Sequence, residues 1–210
     1  MNFERPIALL ATTAGRDKLL KAAGGATRVL FQYTENKSHG AVTKGISEAR
    51  SLMRLAGWTQ NIQKLRAMWA KRDSLPFQEK LMALRVLLDM GYCVLDNMQY
   101  FKKYNLLPLV SMEHAKIVHR SILFMFWGFL TAAIIDVLTF MNMAPVDRIT
   151  NGPARLGMLV RNSCDCLAAL SNSKLLPAAQ FSQTTVGVLA LISGLISTKE
   201  NWDATKKKKA

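Results

Sequence analysis

Cysteine is scarce, and the placement of the three that occur excludes a disulfide framework. Their number is odd in a chain of 210 residues, and the spacing typical of a disulfide-rich domain is missing. Cys164 and Cys166 form a Cys-x-Cys pair without the second pair of ligands that a structural zinc site needs. His114 and His119 are five residues apart, so they do not share a helix face as metal ligands at i and i+4 do. We therefore expect neither disulfides nor a metal site.

Catalytic signatures are lacking too. The sequence has no glycine-rich phosphate loop, no Gly-x-Ser-x-Gly and no constellation of paired carboxylates. We therefore expect a protein that is not an enzyme and that carries no cofactor. A secretory signal is also missing, because the apolar run from Pro6 to Ala11 is shorter than the roughly 7–15 residues of such a signal. We expect targeting to a membrane to use internal segments.

Acidic residues are half as numerous as basic ones, with 14 Asp and Glu against 28 Lys and Arg and a net charge of +14. A disordered basic protein would be poor in apolar residues, whereas 50% of this chain is hydrophobic. The two properties are segregated, because 19 of the 28 basic residues precede Ser121. A soluble nucleic-acid-binding domain would spread its apolar residues evenly. We therefore expect an anionic phospholipid membrane, and no nucleic acid, as the partner of the basic region.

Charge is almost absent from two long runs in the second half. Ser121 to Val146 contains one charged residue, Asp136, and Leu175 to Thr198 contains none. Ile122 to Met141 has the roughly 20 residues of a membrane crossing. Its Leu, Ile, Val and Phe residues favour insertion by about 3–7 kcal/mol, which exceeds the roughly 2.5–3.5 kcal/mol that opposes a central Asp. We predict a transmembrane helix in each run; the alternative is a buried core helix.

The sequence therefore predicts an all-α integral membrane protein. A cytosolic region of basic amphipathic helices spans residues 1–118, and a first transmembrane helix spans residues 119–144. A loop with a short helix follows at residues 145–177, then a second transmembrane helix at residues 178–198 and a lysine-rich cytosolic tail at residues 199–210. The loop carries few basic residues, so the positive-inside rule places it outside the cytosol and both termini in the cytosol. In the second helix, Ala190 and Gly194 form a small-x-x-x-small pair that permits close helix approach.

The basic region contains three helical stretches, at residues 15–33, 44–72 and 77–104. In the second stretch an apolar stripe follows steps of three and four residues; it is formed by Leu55, Trp58, Ile62, Leu65 and Trp69. A second stripe upstream keeps a different register, so we expect a bend or a change of face near Gly57. The Leu55–Trp69 stripe has two interpretations: a face that inserts into a membrane, and the core of a small helical bundle.

Basic residues near this stripe are expected to contact anionic lipid, each contributing roughly 1 kcal/mol beside an anionic surface. They are Lys44, Arg50, Arg54, Lys64 and Lys71. At the end of the chain, Lys207 and Lys208 stand fourth and third from the C-terminus and match the cytosolic dilysine signal that coatomer reads. The alternative is a lysine-rich tail held near anionic headgroups.

Three segments carry a resemblance to a known family. Gly15–Leu20 contains Arg-Asp-Lys, Ala49–Trp58 is a basic helix in which an arginine and then a glycine follow an apolar pair, and Tyr92–Tyr100 contains Asp-Asn. In their order and spacing, these segments resemble the peroxin-11 family of peroxisomal membrane proliferation proteins over most of the chain. Trp58 departs from the family, which often has Lys there. The dilysine tail is similar to that of the kinetoplastid branch, whose peroxisomes are glycosomes.

The resemblance implies a multi-pass protein of the peroxisomal or glycosomal membrane that promotes elongation and division of the organelle. It implies that an amphipathic helix inserts into the cytosolic leaflet, and it points to dynamin-type fission machinery as a partner, with homo-oligomers and coatomer as further expected partners. Two other functions remain open. One is a channel or transporter for small metabolites, suggested by Asp136 inside a span, and the other is a soluble helical adaptor. Solute flux tests the first, and carbonate extraction tests the second.

Overall fold

The computed structural model describes residues 4–106 and 112–207, and within them the chain is entirely helical, as predicted. It has eight α-helices, which are α1 (Glu4–Leu10), α2 (Thr13–Thr34), α3 (Lys37–Met53), α4 (Trp58–Trp69), α5 (Phe77–Lys103), α6 (His114–Met141), α7 (Pro145–Ser173) and α8 (Gln183–Lys207). Two single-turn 3-10 helices lie at Arg72–Ser74 and Pro177–Ala179. No strand occurs in these ranges.

The helices gather into two compact units. Unit 1 holds α1, α2 and α3 together with α8, so it combines residues up to Met53 with residues from Phe181 onward. Unit 2 runs from Arg54 to Gln180 and holds α4 to α7. The chain therefore leaves unit 1 after α3 and returns to it with its last helix.

In unit 1, the long helix α2 packs against both α3 and α8. It begins after Thr12, whose hydroxyl accepts the backbone N–H of Gly15 at 3.0 Å and so caps the helix. It ends at Thr34, and the next residue, Glu35, has a φ of 51°, the left-handed conformation typical of a helix C-terminus. The short helix α1 packs on α2 and α8, with Leu9 buried.

Glycine permits the contact between α2 and α8. A Cβ added to Gly25 would lie 2.5 Å from the backbone N of Leu191, and one added to Gly194 would lie 2.5 Å from the backbone N of Ala22. Gly187 faces Gly25 in the same crossing, with an added Cβ 3.2 Å from the Gly25 carbonyl oxygen. The two backbones therefore approach as closely as in glycine-mediated helix pairs of membranes. Gly194 of the predicted small-residue pair lies in this contact, together with Gly187.

In unit 2, each helix packs on the next, from α4 to α7. Pro76 precedes α5, and its fixed φ suits the start of a helix. The Gln78 side-chain amide donates to the Thr139 hydroxyl at 2.6 Å, which ties α5 to α6. Gly91 of α5 lies against Phe124 of α6, since an added Cβ would be 2.5 Å from that ring.

The prediction of a loop with only a short helix after the first span is wrong. Pro145 to Ser173 forms the single helix α7, of 29 residues. Pro145 occupies the first turn, where the missing N–H breaks no helical hydrogen bond. Polar side chains of α7, among them Asn162, Asp165 and Ser173, are buried, and Asn162 binds Asp136 of α6.

Two further boundaries differ from the sequence prediction. Helix α3 begins at Lys37, seven residues before the predicted stretch 44–72, because the Asn36 side chain accepts the N–H of Ser38 at 2.9 Å and caps the helix. Helix α8 begins at Gln183 and continues into the lysine-rich tail. The residues around Pro177 that open the predicted second span form a 3-10 turn instead.

Candidate membrane-facing site

The Leu55–Trp69 stripe begins at a break between α3 and α4. Helix α3 ends at Met53 and α4 starts at Trp58, and Ala56 between them has a φ of 56°. The backbone N–H of Ala56 donates to the Asn97 side-chain oxygen at 3.0 Å, and this bond holds the left-handed residue in place. The helix is therefore interrupted near Gly57, where the two stripes predicted a bend or a change of face.

Two of the five basic residues assigned to lipid contact lie in ion pairs. The Arg54 guanidinium donates through Nε and Nη2 to one Asp96 oxygen, at 3.2 and 3.0 Å, and Asp96 is buried. In unit 1, Arg50 Nε donates to the buried Asp17 carboxylate at 2.9 Å. A buried carboxylate without a partner is costly, so each arginine neutralises a carboxylate on a neighbouring helix.

The other three basic residues, Lys44, Lys64 and Lys71, are exposed. Lys64 and Lys71 flank the second half of the stripe on α4 and just after it, and Lys44 lies on α3 in unit 1. The structure therefore separates the five basic residues into two that form ion pairs and three that face solvent.

Some side chains of the Leu55–Trp69 stripe pack against the protein, and the others are exposed. Trp58 and Leu65 are half-buried, and α4 packs on α5. Trp69 is 69% exposed, Leu55 is 45% exposed and Ile62 is 38% exposed. One edge of α4 therefore contributes to unit 2, and the other presents apolar side chains outward.

Helices α6 and α7 place polar groups between them and apolar groups outside. Asp136 of α6 accepts the Asn162 side-chain N–H of α7 at 2.6 Å, and both side chains are buried. Large apolar side chains of α7 point outward instead, among them Val146 and Ile149, which are 73% and 81% exposed. A water-soluble helix pair has the reverse arrangement, whereas polar groups of membrane helices face the protein interior.

Among the described residues, α6 is the one helix long and apolar enough to cross a membrane by length and composition. Only 22% of its most apolar window is buried, unlike the core helix of a soluble protein. In α8 the dense apolar run covers only Val186 to Ile196, and Gln183, Lys199 and Glu200 bound it. The Asp136 carboxylate, which suggested a channel, is already hydrogen-bonded within the protein.

Cys93 of α5 lies near the α3–α4 break, and its environment keeps the thiol unreactive. Burial, and after it the nearby Asp89 carboxylate, raise the pKa of the Cys93 thiol to about 11. The thiolate is the nucleophile and metal ligand, so the group is protonated and inert near neutral pH.

Of the predicted dilysine signal, Lys207 is the last described residue of α8, and Lys208 lies outside the described residues.

Sequence reasoning missed the acidic partners and the glycine contact. Asp17 and Asp96 stand inside the segments Gly15–Leu20 and Tyr92–Tyr100 that carried the resemblance, and each is the only acid of its segment. That isolation is the signal that could have identified them, because an acid among basic helices finds a cation when it is buried. Gly24 and Gly25 gave a second signal, since two glycines weaken a helix unless close packing needs them.

Comparison with known proteins found one family. A family model described as Peroxisomal biogenesis factor 11 (PEX11) matches residues 3–202 of the chain. No curated protein and no solved structure matches it. The family match spans both units, including the ion pairs, the α4 face and the α6–α7 pair.

Proposed function

The chain belongs to the peroxisomal biogenesis factor 11 family, and from that premise we propose that it remodels the peroxisomal membrane by inserting the exposed edge of α4 into the cytosolic leaflet. Family membership makes it a peroxisome biogenesis factor associated with the peroxisomal membrane. An inserted edge expands one leaflet relative to the other and favours positive curvature. Elongation and division of the organelle then follow from local bending.

The observation that carries this proposal is the outward apolar edge of α4 together with Leu55, which lies just before the helix. Leu55, Ile62 and Trp69 leave large apolar areas in water, and full burial of such side chains is worth about 1.5–3 kcal/mol each. An amphipathic helix of this kind sinks about 5–10 Å into the headgroup boundary. Attachment to a membrane anchor raises the local concentration of the edge, so that weak insertion suffices.

The cations that support insertion are assigned to Lys44, Lys64 and Lys71. Each is exposed, whereas Arg50 and Arg54 are occupied by Asp17 and Asp96. Attraction between lysines and an anionic surface is screened by salt, with a Debye length of about 10 Å at 0.1 M. Binding of the full chain to anionic vesicles should therefore weaken as salt rises.

The insertion proposal predicts that Ile62→Glu abolishes tubulation of anionic liposomes by the full chain. A glutamate at this position places a charge in the outward apolar edge, and its partial exposure means that the fold tolerates it. The matched control is Gln63→Glu, which adds the same charge at the adjacent exposed position of α4 and should leave tubulation intact. Equal tubulation by both variants, counted by electron microscopy, would show that the edge does not insert.

We assign the membrane anchor to α6, the one described helix that is long and apolar enough to cross a membrane, and we propose that the less apolar α7 returns beside it. Helix α7 follows α6 after the short connection Asn142–Ala144 and packs back along it, and their polar groups face each other. A return through α7 places both termini in the cytosol, as the positive-inside rule requires. The return through α8 that the sequence favoured would instead need α7 to lie outside the bilayer, with its apolar side chains in water.

The two topologies place Lys174 on opposite sides of the membrane. A protease-sensitive tag inserted after Lys174 should be digested in intact organelles if α7 returns, while a tag inserted after Asn142 should be protected. If α8 is the returning helix, both tags are protected. Detergent should expose both tags in either case, which verifies that each is cleavable.

A further inference from the structure

Helices α4 and α5 enclose a groove near their connection that the insertion of α4 does not explain. Its volume is about 710 Å³, within the roughly 300–1,000 Å³ of small-molecule sites. The apolar side chains that line it include Leu65 and Trp69 of α4, Leu75 of the connection, and Leu84 and Leu87 of α5. Trp69, Leu84 and Leu87 remain exposed, so the groove is open to a ligand.

The charged residues of the lining are all basic: Arg66, Arg72 and Lys80. Arg72 lies in the connection and Lys80 in the first turn of α5. Both residues therefore lie at the closed end of the α4–α5 pair, which is the end where the connection joins the two helices. Leu87 stands seven residues beyond Lys80, which is about 10 Å along the helix. The groove therefore has two cations at the connection, a third, Arg66, farther along α4, and a mainly apolar lining that leads away from the connection.

The charge at the closed end matches a single carboxylate. The Arg72 guanidinium has the exposed Asp73 carboxylate at 3.6 Å and lies 5.1 Å from the centre of the Trp69 ring. Exposed ion pairs of this kind are weak, so a ligand anion competes with Asp73. Arg72 and Lys80 together with Asp73 leave one net positive charge.

We propose that this groove binds one fatty acid, with its carboxylate at Arg72 and Lys80 and its acyl chain along Leu84, Leu87 and Leu65. The ligand is a soluble monoanion with one chain, which fits both the volume and the separation of charge from apolar lining. Binding needs no bilayer, so it is separate from the insertion of α4 even though Trp69 belongs to both surfaces.

Photo-crosslinking of the full chain in amphipol tests the proposal. The probe is a palmitic acid analogue with a diazirine in the middle of the chain, used below its micellar concentration. Mass spectrometry should place the label on the helical segments of Leu65 and Leu84, and excess oleate should remove it. Methyl oleate, which lacks the negative charge, should compete at least about tenfold less well, because it makes no charge-assisted hydrogen bond.

Variants with matched controls locate the site. Leu84→Trp fills the groove and should reduce labelling at least about tenfold, whereas Met82→Trp, on the same helix at similar exposure and outside the groove, should not. Arg72→Gln with Lys80→Gln should also reduce labelling, and Lys71→Gln should not. The two charge changes are at exposed positions, so they report on the site even if the tryptophan disturbs packing.

Several results would overturn the assignment. Label confined to the outer apolar surface of α6 and α7, or equal labelling of Leu84→Trp and Met82→Trp, means that the groove is not the site. Tighter competition by lysophosphatidate than by oleate rejects the carboxylate as the headgroup. Liposome tubulation by Leu84→Trp should remain normal, so loss of labelling with normal tubulation separates this proposal from the insertion of α4.

Discussion

Gly25→Ala should lower the thermal unfolding midpoint of the detergent-solubilised chain by about 4–8 °C. The added Cβ would meet backbone atoms of α8, at 2.5 Å from the Leu191 N and 2.8 Å from the Gly187 carbonyl oxygen, and backbone cannot move aside as a flexible side chain does. Overpacking costs about 1–3 kcal/mol, and each kcal/mol shifts the midpoint of a chain of this size by about 2–4 °C. The net loss should be about 2 kcal/mol after the better helix propensity of alanine is included.

Gly45→Ala is the matched control for this prediction. Gly45 also lies in a helix of unit 1, but no heavy atom lies within 4 Å of an added Cβ. Alanine should therefore act through helix propensity alone and raise the midpoint, with a gain of at most about 1 kcal/mol. A rise at both positions would mean that α2 and α8 are not in close contact.

Arg54→Met should lower the midpoint further, by about 6–12 °C. It removes the guanidinium that donates to Asp96 at 3.0 and 3.2 Å, while the Asp96 carboxylate stays buried. Loss of one partner of a buried pair costs about 3–5 kcal/mol, and the partial exposure of Arg54 places the expected loss near 3 kcal/mol. The backbone carbonyl oxygen of residue 54, which accepts from the Asn97 amide, is unchanged by the substitution, so the loss reports on the ion pair.

A double-mutant cycle separates the ion pair from lipid contact. Arg54→Met with Asp96→Leu should recover most of the lost stability, because two apolar side chains replace both members of the pair. Lys64→Met should behave in the opposite way, with an unchanged midpoint and weaker binding to anionic vesicles. If Arg54→Met instead leaves the midpoint unchanged and weakens vesicle binding as Lys64→Met does, the arginine contacts lipid as the sequence suggested.

The helices were predictable where a single face is apolar over many residues. The patterns over residues 15–33 and 77–104 match α2 and α5 closely, and the conflict between two stripes correctly predicted the break near Gly57. Helix α7 was missed because its buried face is polar. In a water-soluble protein, the apolar face of a helix is the buried one. In α7 the buried face is polar instead, because Asn162 donates to Asp136 of α6 there.

The apolar residues of the candidate site were predictable from the sequence. Which of its basic residues form ion pairs was not. The spacing from Leu55 to Trp69 identified a face, but it could not divide the face between packing and exposure, since that depends on α5. The partners of Arg50 and Arg54 are 33 and 42 residues away in sequence. Periodicity carries no information on such distant pairs, so free and paired arginines looked alike.

Organelle morphology tests the central claim most directly. Cells that overexpress the fluorescently tagged chain should contain peroxisomes that are longer and more numerous than those of untransfected cells, with the tag on their membranes. Ile62→Glu should reach the same membranes and leave number and length unchanged, whereas Gln63→Glu should act like the unmodified chain. Elongation by Ile62→Glu equal to that by Gln63→Glu would contradict remodelling through the exposed edge of α4.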